Sequence, residues 1–426
     1  MTTAVITKVD QLGGEVRAPP SKSYTHRMLV AALLSQGVSS MSNPLVSADT
    51  EATLRAVEAF GATLEIEESL WRVTGTSRPR TPKEPIDCEN SGTTARFLLP
   101  IATLAPGPST FLFGLSLRNR PIAPLLTALR QLGAAIEVQT TRQGINTYGG
   151  GLTGGSIPIR GDLSSQFISG LLFACPKAKN DSEITLSTPL ESKGYVQMTI
   201  NVLEKHGIRV HCSGDCERFS VPSPQEYEPS SHTVPGDFSS AAFLLAAGVI
   251  TQSTVKVTRL GLRQFQGDEV IVEHLKKIGA DVTTAEDSVE VRGSPLHSII
   301  VDVKDTPDLV PVYAALACYS QGTSQLLNAK RLKYKESNRL NALHSELRKM
   351  GADITENSDG LVIKGPCALH GASINPHDDH RIAMACSIAA LGATGQTTIQ
   401  NAECVEKSYP QFFEDLQQLG AEIVGA

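Results

Sequence analysis

A sixfold internal repeat constrains the fold of this chain more than any other feature. Its pattern is an apolar residue, three residues, then a glycine followed by a β-prone run, as in VEAFGATLEI and LKKIGADVTT. The pattern returns roughly every 71 residues and fills the chain. Each repeat is predicted to end a helix at a left-handed glycine cap and to continue directly into a strand. The repeated glycines are Gly61, Gly133, Gly207, Gly279, Gly351 and Gly420.

A polar motif opens an apolar, Ala- and Leu-rich run about 40 residues before each glycine, and such runs predict buried helices. The resulting order, strand–helix–strand–helix–strand in each repeat, predicts an α/β or α+β fold. The six motifs are SKSYTHR (21–27), ENSGTTAR (89–96), GDLSSQF (161–167), GDFSSAA (236–242), DTPDLVP (305–311) and PHDDHRI (376–382).

One repeat of about 70 residues buries too little surface to be stable alone, so we expect three repeats in each of two domains. The breaks are predicted near Pro19-Pro20 and Pro235-Gly236. Domain I then comprises 1–19 plus 236–426, and domain II, 20–235, is inserted into it. The leading strand AVITKVD belongs to domain I.

Composition excludes several classes of protein. Hydrophobic residues make up 41% of the 426 residues, which supports real cores, and 38 basic against 44 acidic residues give a net charge of −6. That balance argues against a nucleic-acid partner. No apolar stretch is long enough to cross a membrane, and the N-terminal residues do not resemble a signal peptide, so we expect a cytoplasmic protein.

The eight cysteines do not predict a metal site. Cys212 and Cys216 are the only close pair, and His211 precedes them. No second Cys/His pair follows at metal-ligand spacing, so we expect no metal.

The polar motifs also suggest anion binding. Helix capping explains their Ser, Thr, Asp and Asn residues, but it does not require the basic residues within them. Helix N-termini bind anions, and further basic loops lie about 27 residues after the motifs, for example Lys335 after Asp308. We therefore expect a substrate with several negative charges. The second loops are SADTE (47–51), LRNRP (117–121), ESKGY (191–195), FQGD (265–268), KYKESNR (333–339) and EKSYP (406–410).

Two acids, Asp308 and Glu336, lie within this basic set. They are either ion-pair partners or proton-transfer groups, and the residues alone leave both readings open. The chain has no Gly-x-Ser-x-Gly elbow, no GxxxxGK[ST] loop and no HExxH motif. A hydrolase triad, a P-loop kinase and a zinc enzyme are therefore unsupported.

The motifs PPSKSYTHR, ENSGTTAR, LRNRPI, GDLSSQF, KYKESNR, DDHRIAMA and EKSYPQFFEDL resemble, in order, those of the 5-enolpyruvylshikimate-3-phosphate synthase (3-phosphoshikimate 1-carboxyvinyltransferase) family. The resemblance covers essentially the whole chain. It implies a two-lobed inverse α/β barrel-like fold of six βαβαββ repeats, three per domain. It also implies transfer of the enolpyruvyl group of phosphoenolpyruvate to the 5-hydroxyl of shikimate 3-phosphate, by a monomer without metal or cofactor.

The resemblance implies three groups of site residues. Asp308 would take the 5-hydroxyl proton, Glu336 would handle the C3 proton, and Lys22 would join them as catalytic residues. Shikimate 3-phosphate would bind Lys22, Ser23, Arg27, Ser164, Ser165, Gln166, Ser192, Tyr195, Asp308 and Lys335. Phosphoenolpyruvate would bind Lys22, Asn90, Gly92, Arg120, Gln166, Arg339, His380, Arg381 and Lys407.

Some positions depart from the family pattern: Asn119, Asn338, Arg331 and Phe97 stand where many members have another residue. The first three affect fine substrate contacts and not the implied reaction. Gly92 leaves room beside the phosphoenolpyruvate position, so we expect inhibition by glyphosate.

Two alternatives stay open. A UDP-N-acetylglucosamine enolpyruvyl transferase typically carries a reactive cysteine in the second repeat's loop, which here reads LRNRP. A non-catalytic anion-binding paralogue would be expected to lack Lys22, Asp308 or Glu336, and all three are present.

Overall fold

The structure, a computed structural model, describes residues 2–139, 144–262 and 264–425. The chain forms two compact units. Unit 1 comprises Met1–Pro19 and Pro235–Ala426, and unit 2 comprises Pro20–Val234. Unit 2 is therefore contiguous in the chain, whereas unit 1 is assembled from both chain ends.

The strands are short and are numbered in chain order. They are β1 (Thr3–Thr7), β2 (Gly13–Arg17), β3 (Gly37–Ser42), β4 (Thr63–Ile66), β5 (Leu70–Gly75), β6 (Ile86–Asp87), β7 (Ser109–Leu112), β8 (Ile136–Gln139), β9 (Gly144–Thr147), β10 (Gly155–Ile159), β11 (Ser182–Leu186), β12 (His211–Cys212), β13 (Arg218–Val221), β14 (Ser231–Thr233), β15 (Thr254–Thr258), β16 (Asp281–Ala285), β17 (Ser288–Arg292), β18 (Ile300–Asp302), β19 (Gly322–Leu327), β20 (Asp353–Asn357), β21 (Gly360–Gly365), β22 (Ser373–Ile374), β23 (Gln396–Gln400) and β24 (Ile423–Val424).

The helices alternate with these strands. They are α1 (Lys22–Leu34), α2 (Ala48–Ala59), α3 (Gly92–Ala102), α4 (Leu115–Arg118), α5 (Ala123–Gln131), α6 (Ser165–Ala174), α7 (Lys193–Lys205), α8 (Phe238–Ile250), α9 (Ile271–Lys277), α10 (Val310–Tyr319), α11 (Arg339–Lys349), α12 (His380–Ala390) and α13 (Phe412–Gln418). Short 3₁₀ turns cover Cys175–Lys177, Gly267–Val270, Pro307–Leu309, Lys330–Tyr334 and Ala402–Lys407.

Within the described residues, six four-stranded sheets share one plan. In the sheet β6-β7-β9-β8, β6 pairs in parallel with β7, and β9 pairs antiparallel with both β7 and β8. Unit 2 has two more such sheets, β14-β3-β5-β4 and β10-β11-β13-β12. Unit 1 has β2-β15-β17-β16, β18-β19-β21-β20 and β22-β23-β1-β24. The predicted six βαβαββ repeats, three in each unit, are thus confirmed.

Strand β1 lies between the last two strands of the chain. Val5 is opposite Thr398 in β23 on one side and opposite Val424 in β24 on the other. The N-terminal strand therefore completes the sheet of the sixth repeat, which contains the C-terminal strand.

The six repeated glycines end helices as the pattern predicts. Gly61 follows α2 with φ 105°, and Gly279 follows α9 with φ 108°. The other four also have positive φ, a conformation in which a side chain is strained. The glycine cap lets each amphipathic helix turn at once into its strand.

Three almost fully buried helices form the centre of each unit: α1, α3 and α6 in unit 2, and α8, α10 and α12 in unit 1. They belong to two separate apolar cores, one in each unit. The polar motifs cap five of them, because the side chains of Ser21, Ser91, Ser164, Asp237 and Asp379 accept backbone N–H groups. Helix α10 instead follows the 3₁₀ turn Pro307–Leu309. The motifs therefore lie at the N-termini of buried helices.

Unit 2 buries three histidines, His26, His206 and His232. The two Nε2 atoms of His206 and His232 lie 2.8 Å apart, and His26 Nδ1 is 2.7 Å from Thr53 Oγ1. Burial lowers the pKa of His26 and of His232 to about 3, and that of His206 to about 4. All three are therefore neutral in the folded unit at neutral pH.

Unit 2 is expected to lose stability as the pH falls from about 6.5 toward 4. Between these pH values the histidines are protonated in the unfolded chain but stay neutral in the folded unit, so protonation favours unfolding. The cost is about 2 kcal/mol per histidine at pH 5. Trp71, the single tryptophan, is buried in β5 and reports unit 2 by fluorescence. We expect a lower urea midpoint at pH 5 than at pH 7, with a smaller difference in His232→Gln. Equal midpoints for the wild type would contradict this expectation.

Among the described residues, no helix is both long enough and apolar enough to cross a membrane. The same residues contain no group of three or more His, Cys, Asp or Glu side chains that could hold a metal ion.

Candidate functional site

In unit 1, one guanidinium group joins three carboxylates. Arg339, the first residue of α11, has a side chain only 1% exposed. Its Nη1 lies 2.7 Å from Asp308 Oδ1, its Nη2 lies 2.7 Å from Glu336 Oε2, and its Nε lies 2.8 Å from Asp379 Oδ2. The two acids that the sequence singled out are thus brought together on a shared cation.

Asp308 faces two further cations. Arg381 Nη2 is 3.3 Å from Asp308 Oδ2, and Lys335 Nζ is 3.5 Å from Asp308 Oδ1. Burial alone would raise the pKa of Asp308, but Arg381, Lys335 and Arg339 hold it well below its usual range. Asp308 is therefore an ionised carboxylate in this structure.

Lys335 has a perturbed pKa of its own. Burial lowers it to about 8, against the opposing attraction of Asp308. Asp308 and Lys335 are 27 residues apart, which is about the distance in sequence between each polar motif and the second loop that follows it. The repeat thus places the predicted loops next to each other.

The remaining predicted residues of unit 1 differ in exposure. His380 is 1% exposed, with its Nδ1 3.8 Å from Asp379 Oδ1, and Lys407 is half-buried at the end of a 3₁₀ turn. Lys333, one of the basic residues of the second loops, instead lies 3.7 Å from Glu356 on β20. Lys333 is thus paired with Glu356 rather than with Asp308 or Glu336.

In unit 2, Lys22 opens helix α1 and forms an ion pair with Asp49. Its Nζ lies 2.9 Å from Asp49 Oδ2, and both side chains are mostly buried. Asp49 lies in the SADTE segment, near the N-terminus of α2. This contact also spans 27 residues.

Arg27 is 2% exposed, and its guanidinium group is used within unit 2. It donates to the carbonyl oxygens of Ser23 and Tyr195 and to Thr199 Oγ1, at 2.8–2.9 Å. It also lies over the rings of Phe97 and Tyr195. Arg27 therefore links helix α1 to helix α7. Its N–H groups already donate to protein groups, so it offers the site its positive charge rather than exposed hydrogen-bond donors.

Gly92 lies against two arginines at the start of α3. A Cβ atom at Gly92 would come within 2.9 Å of Arg120 Nη1 and 3.0 Å of Arg96 Nη1. Arg96 donates to Gln166 Oε1 at 2.7 Å, and Gln166 donates to Thr93 Oγ1 at 2.8 Å. The predicted residues Gly92, Arg120 and Gln166 are therefore part of one cluster, with Arg96 at its centre.

Three of the predicted serines of unit 2 lie at two helix N-termini. Ser164 caps α6, and Ser165 is the first residue of that helix. Ser192 precedes α7 with a left-handed φ of 59°, and Tyr195 lies in the first turn of α7. Asn90 Oδ1 accepts from Ser116 N and Oγ at 3.2 and 2.9 Å, which fastens the loop before α3 to the start of α4.

Sequence reasoning missed two partners of these residues. Asp49 and Asp379 both lie within the quoted segments, but the motifs assigned neither of them a role. Asp379 is fully buried, whereas the adjacent Asp378 is exposed. A repeat-based comparison would have found Asp49, since it follows Lys22 at the offset that separates Asp308 from Lys335.

Unit 2 has a cavity of about 860 Å³ that does not coincide with the predicted site residues. Its lining includes Gln36, Ala105 and Lys177, which follow the C-terminal ends of α1, α3 and α6. Its lining contains none of the predicted site residues, many of which lie at the N-terminal ends of the buried helices. Helix polarity favours anions at the N-terminal ends, so we place the site there despite the cavity.

Comparisons with known proteins agree with the motifs. A family model described as EPSP synthase (3-phosphoshikimate 1-carboxyvinyltransferase) matches residues 6–416. The 3-phosphoshikimate 1-carboxyvinyltransferases of Methanocella arvoryzae and Methanocaldococcus jannaschii are 46% and 42% identical to the chain, over 99% of both chains in each case. A solved EPSP synthase structure from Acinetobacter baumannii has a TM-score of 0.83 at 26% identity, covering 99% of this chain and 100% of that one.

Proposed function

We propose roles for the two units on the premise that this chain belongs to the EPSP synthase (3-phosphoshikimate 1-carboxyvinyltransferase) family. It is an enzyme of the shikimate pathway. It transfers the enolpyruvyl group of phosphoenolpyruvate to the 5-hydroxyl of shikimate 3-phosphate. The roles of individual residues are our proposal.

Unit 2 supplies most of the groups for shikimate 3-phosphate. The N-terminus of α6, with Ser164 and Ser165, offers hydroxyl and backbone donors for the phosphate group. Lys22 and Ser23 open α1 and offer a cation and a hydroxyl. The remaining groups proposed for this substrate are Arg27, Gln166, Ser192 and Tyr195 from unit 2, and Asp308 and Lys335 from unit 1.

Phosphoenolpyruvate needs cations for its phosphate and carboxylate groups. We assign Arg381, Lys407 and His380 in unit 1 to it. In unit 2 we assign Arg120 beside Gly92, together with Lys22, Asn90 and Gln166. Arg339 is also assigned to it, although its present partners are the three carboxylates. Arg339 thus also acts by holding the two proposed proton-transfer residues in place.

The observation that carries the mechanism is the pairing of Asp308 and Glu336 on one guanidinium group. Asp308 takes the proton of the 5-hydroxyl as its oxygen attacks C2 of phosphoenolpyruvate. Glu336, protonated at the start of turnover, delivers a proton to C3 and takes one back as phosphate leaves, and the departing phosphate takes the proton that Asp308 accepted. These steps move protons and electron pairs between the substrates and two side chains, and they need no cofactor or metal.

The cations explain how Asp308 is switched from a weak to a competent base. Its carboxylate is stabilised by Arg381, Lys335 and Arg339, so its pKa is low without substrate. When phosphoenolpyruvate brings negative groups to these cations, their pull on Asp308 weakens and its pKa rises. The base is then strengthened when phosphoenolpyruvate is in place.

Release of inorganic phosphate tests this function. The wild type is expected to release phosphate with shikimate 3-phosphate and phosphoenolpyruvate together, and with neither alone. Release with UDP-N-acetylglucosamine in place of shikimate 3-phosphate would support the other transferase. Saturable binding of both substrates without phosphate release would identify a non-catalytic paralogue.

We further propose that the enzyme acts as a monomer in the cytoplasm, on small molecules only. All the residues assigned above lie in a single chain. Light scattering of the purified protein would test the monomer, since a mass of twice the chain would overturn it.

Gly92→Ala is expected to raise the KM for phosphoenolpyruvate about tenfold or more, because the added Cβ displaces the Arg120 guanidinium group. The lack of a side chain at Gly92, which leaves Arg120 in place, also underlies the expected inhibition by glyphosate. Gly214→Ala is a matched control, since its Cβ meets nothing within 4 Å. An unchanged KM in Gly92→Ala would remove Gly92 and Arg120 from the proposed site.

A further inference from the structure

Asp268 is a buried carboxyl group that the roles above do not use. It belongs to the FQGD segment (265–268) and lies in the 3₁₀ turn Gly267–Val270 of unit 1. It is only 2% exposed. A buried acid in a loop beside a helix N-terminus is a candidate for a role in the site.

The FQGD segment is fastened to the start of helix α8. Gln266 Oε1 accepts from the backbone N–H of Phe238 at 3.1 Å, and Gln266 Nε2 donates to the carbonyl oxygen of Gly236 at 2.7 Å. Between these contacts, Ser239 Oγ donates to Asp268 Oδ2. The position of Asp268 is therefore set by the helix N-terminus.

The same serine connects Asp268 to the proposed catalytic group. The carbonyl oxygen of Ser239 lies 3.4 Å from Arg381 Nη1, which is also 3.4 Å from the carbonyl oxygen of Asp308. Arg381 Nη2 reaches the Asp308 carboxylate at 3.3 Å. One residue, Ser239, thus separates Asp268 from the cation that we assign to phosphoenolpyruvate.

Charged and titratable groups face Asp268 from several elements. Burial first, and then the negative charges of Asp308 and Asp237, raise its pKa to about 7, while Ser239 and Arg381 oppose the rise. The negative charge of Asp268 also raises the pKa of the Tyr313 phenol on α10. His274 on α9 is hydrogen-bonded to that phenol at 2.6 Å. Asp268 is thus close to its titration point at neutral pH, where a small change in nearby charge alters its protonation.

We propose that Asp268 is a positioning residue that holds the Arg381 guanidinium group through Ser239 and takes up a proton when phosphoenolpyruvate binds. The proposal rests on the function proposed above. An anion bound to Arg381 adds negative charge near Asp268 and draws on the cation that stabilises its ionised form. The ionised carboxylate is therefore disfavoured, and a proton from solvent adds to it.

The pH dependence of KM tests this coupling. Suppose that Asp268 has a pKa of about 7 in the free enzyme and stays protonated in the phosphoenolpyruvate complex from pH 6.5 to pH 8. Binding must then protonate more of it as the pH rises, so the KM for phosphoenolpyruvate in the wild type rises roughly eightfold over this range. In Asp268→Asn, which has no proton to gain, that rise is absent. The ionisation of phosphoenolpyruvate itself affects both proteins equally, so the difference between them isolates Asp268.

Two serine variants give an independent check. Ser239→Ala removes a hydrogen bond that lowers the pKa of Asp268, so the rise in KM is expected to move to higher pH. Ser239→Thr keeps the hydroxyl group and should restore the wild-type profile. Asp281→Asn, on the exposed face of β16, is the matched control and should show the wild-type profile.

Each outcome decides the proposal. An Asp268→Asn enzyme with the same rise in KM overturns it, and so does a wild type whose profile matches that of the variant. If Asp268→Asn does not fold, an unshifted profile in Ser239→Ala overturns it instead. A wild type that releases no phosphate with both substrates refutes the proposed function, whereas an active wild type with an unchanged variant refutes only the role of Asp268.

Discussion

Glu336→Gln lowers kcat by roughly 100- to 10,000-fold, the range typical of removing a general acid–base group. Gln has the size of Glu but cannot give a proton to C3 or take one from it. Its amide also replaces one of the three carboxylates on Arg339. The rate of phosphate release at saturating concentrations of both substrates measures the effect.

The control for this variant is Glu290→Gln, the same substitution on the exposed face of β17 in unit 1. It should retain wild-type kcat. If Glu336→Gln stays within tenfold of the wild type while folding normally, Glu336 is not the residue that handles the C3 proton. A rise in KM with kcat unchanged would move Glu336 from proton transfer to substrate binding.

Asp379→Ala is expected to lower the free energy of unfolding of unit 1 by about 3–5 kcal/mol, as is found when one partner of a buried ion pair is removed. Asp379 is fully buried and accepts from Arg339 Nε at 2.8 Å. It also accepts from Ser337 Oγ at 3.0 Å and caps helix α12. Its loss leaves the buried Arg339 with less compensation.

Native-state hydrogen exchange at the α12 amides measures this change within unit 1. Glu273→Ala provides the comparison, because Glu273 is paired with Lys276 at 3.0 Å on the exposed surface of α9. Such pairs contribute about 0–1 kcal/mol. Similar effects of the two substitutions would show that Arg339 does not depend on Asp379.

The repeat architecture was predictable because it depends on local chemistry. A left-handed glycine after each amphipathic helix, as at Gly61 and Gly351, specifies where a helix ends and a strand begins. The polar motifs predicted the N-termini of the buried helices for the same reason. Six copies of one signal also made the number of repeats readable without knowledge of any contact.

The hydrogen-bond and ion-pair partners within the candidate site were not predictable from the sequence. The motifs place Arg27 and Arg339 among basic residues, but only packing shows that both are buried and that their donors serve protein groups. Likewise, Asp378 and Asp379 are adjacent in sequence, and helix geometry alone does not say which one meets Arg339. These choices depend on contacts between distant segments, and a single sequence carries no local signal for them.

The place of β1 affects how the chain folds while it is being made. Every strand of unit 2 pairs within that unit, so the ribosome releases all its partners before the second half of unit 1. Among the described residues, strand β1 pairs with β23 and β24, which follow it by almost the length of this sequence. At 5–20 residues per second, the N-terminal segment waits roughly 20 to 80 s with its backbone unpaired. Strand β1 is thus exposed to chaperones for the whole interval between its own synthesis and that of β23 and β24.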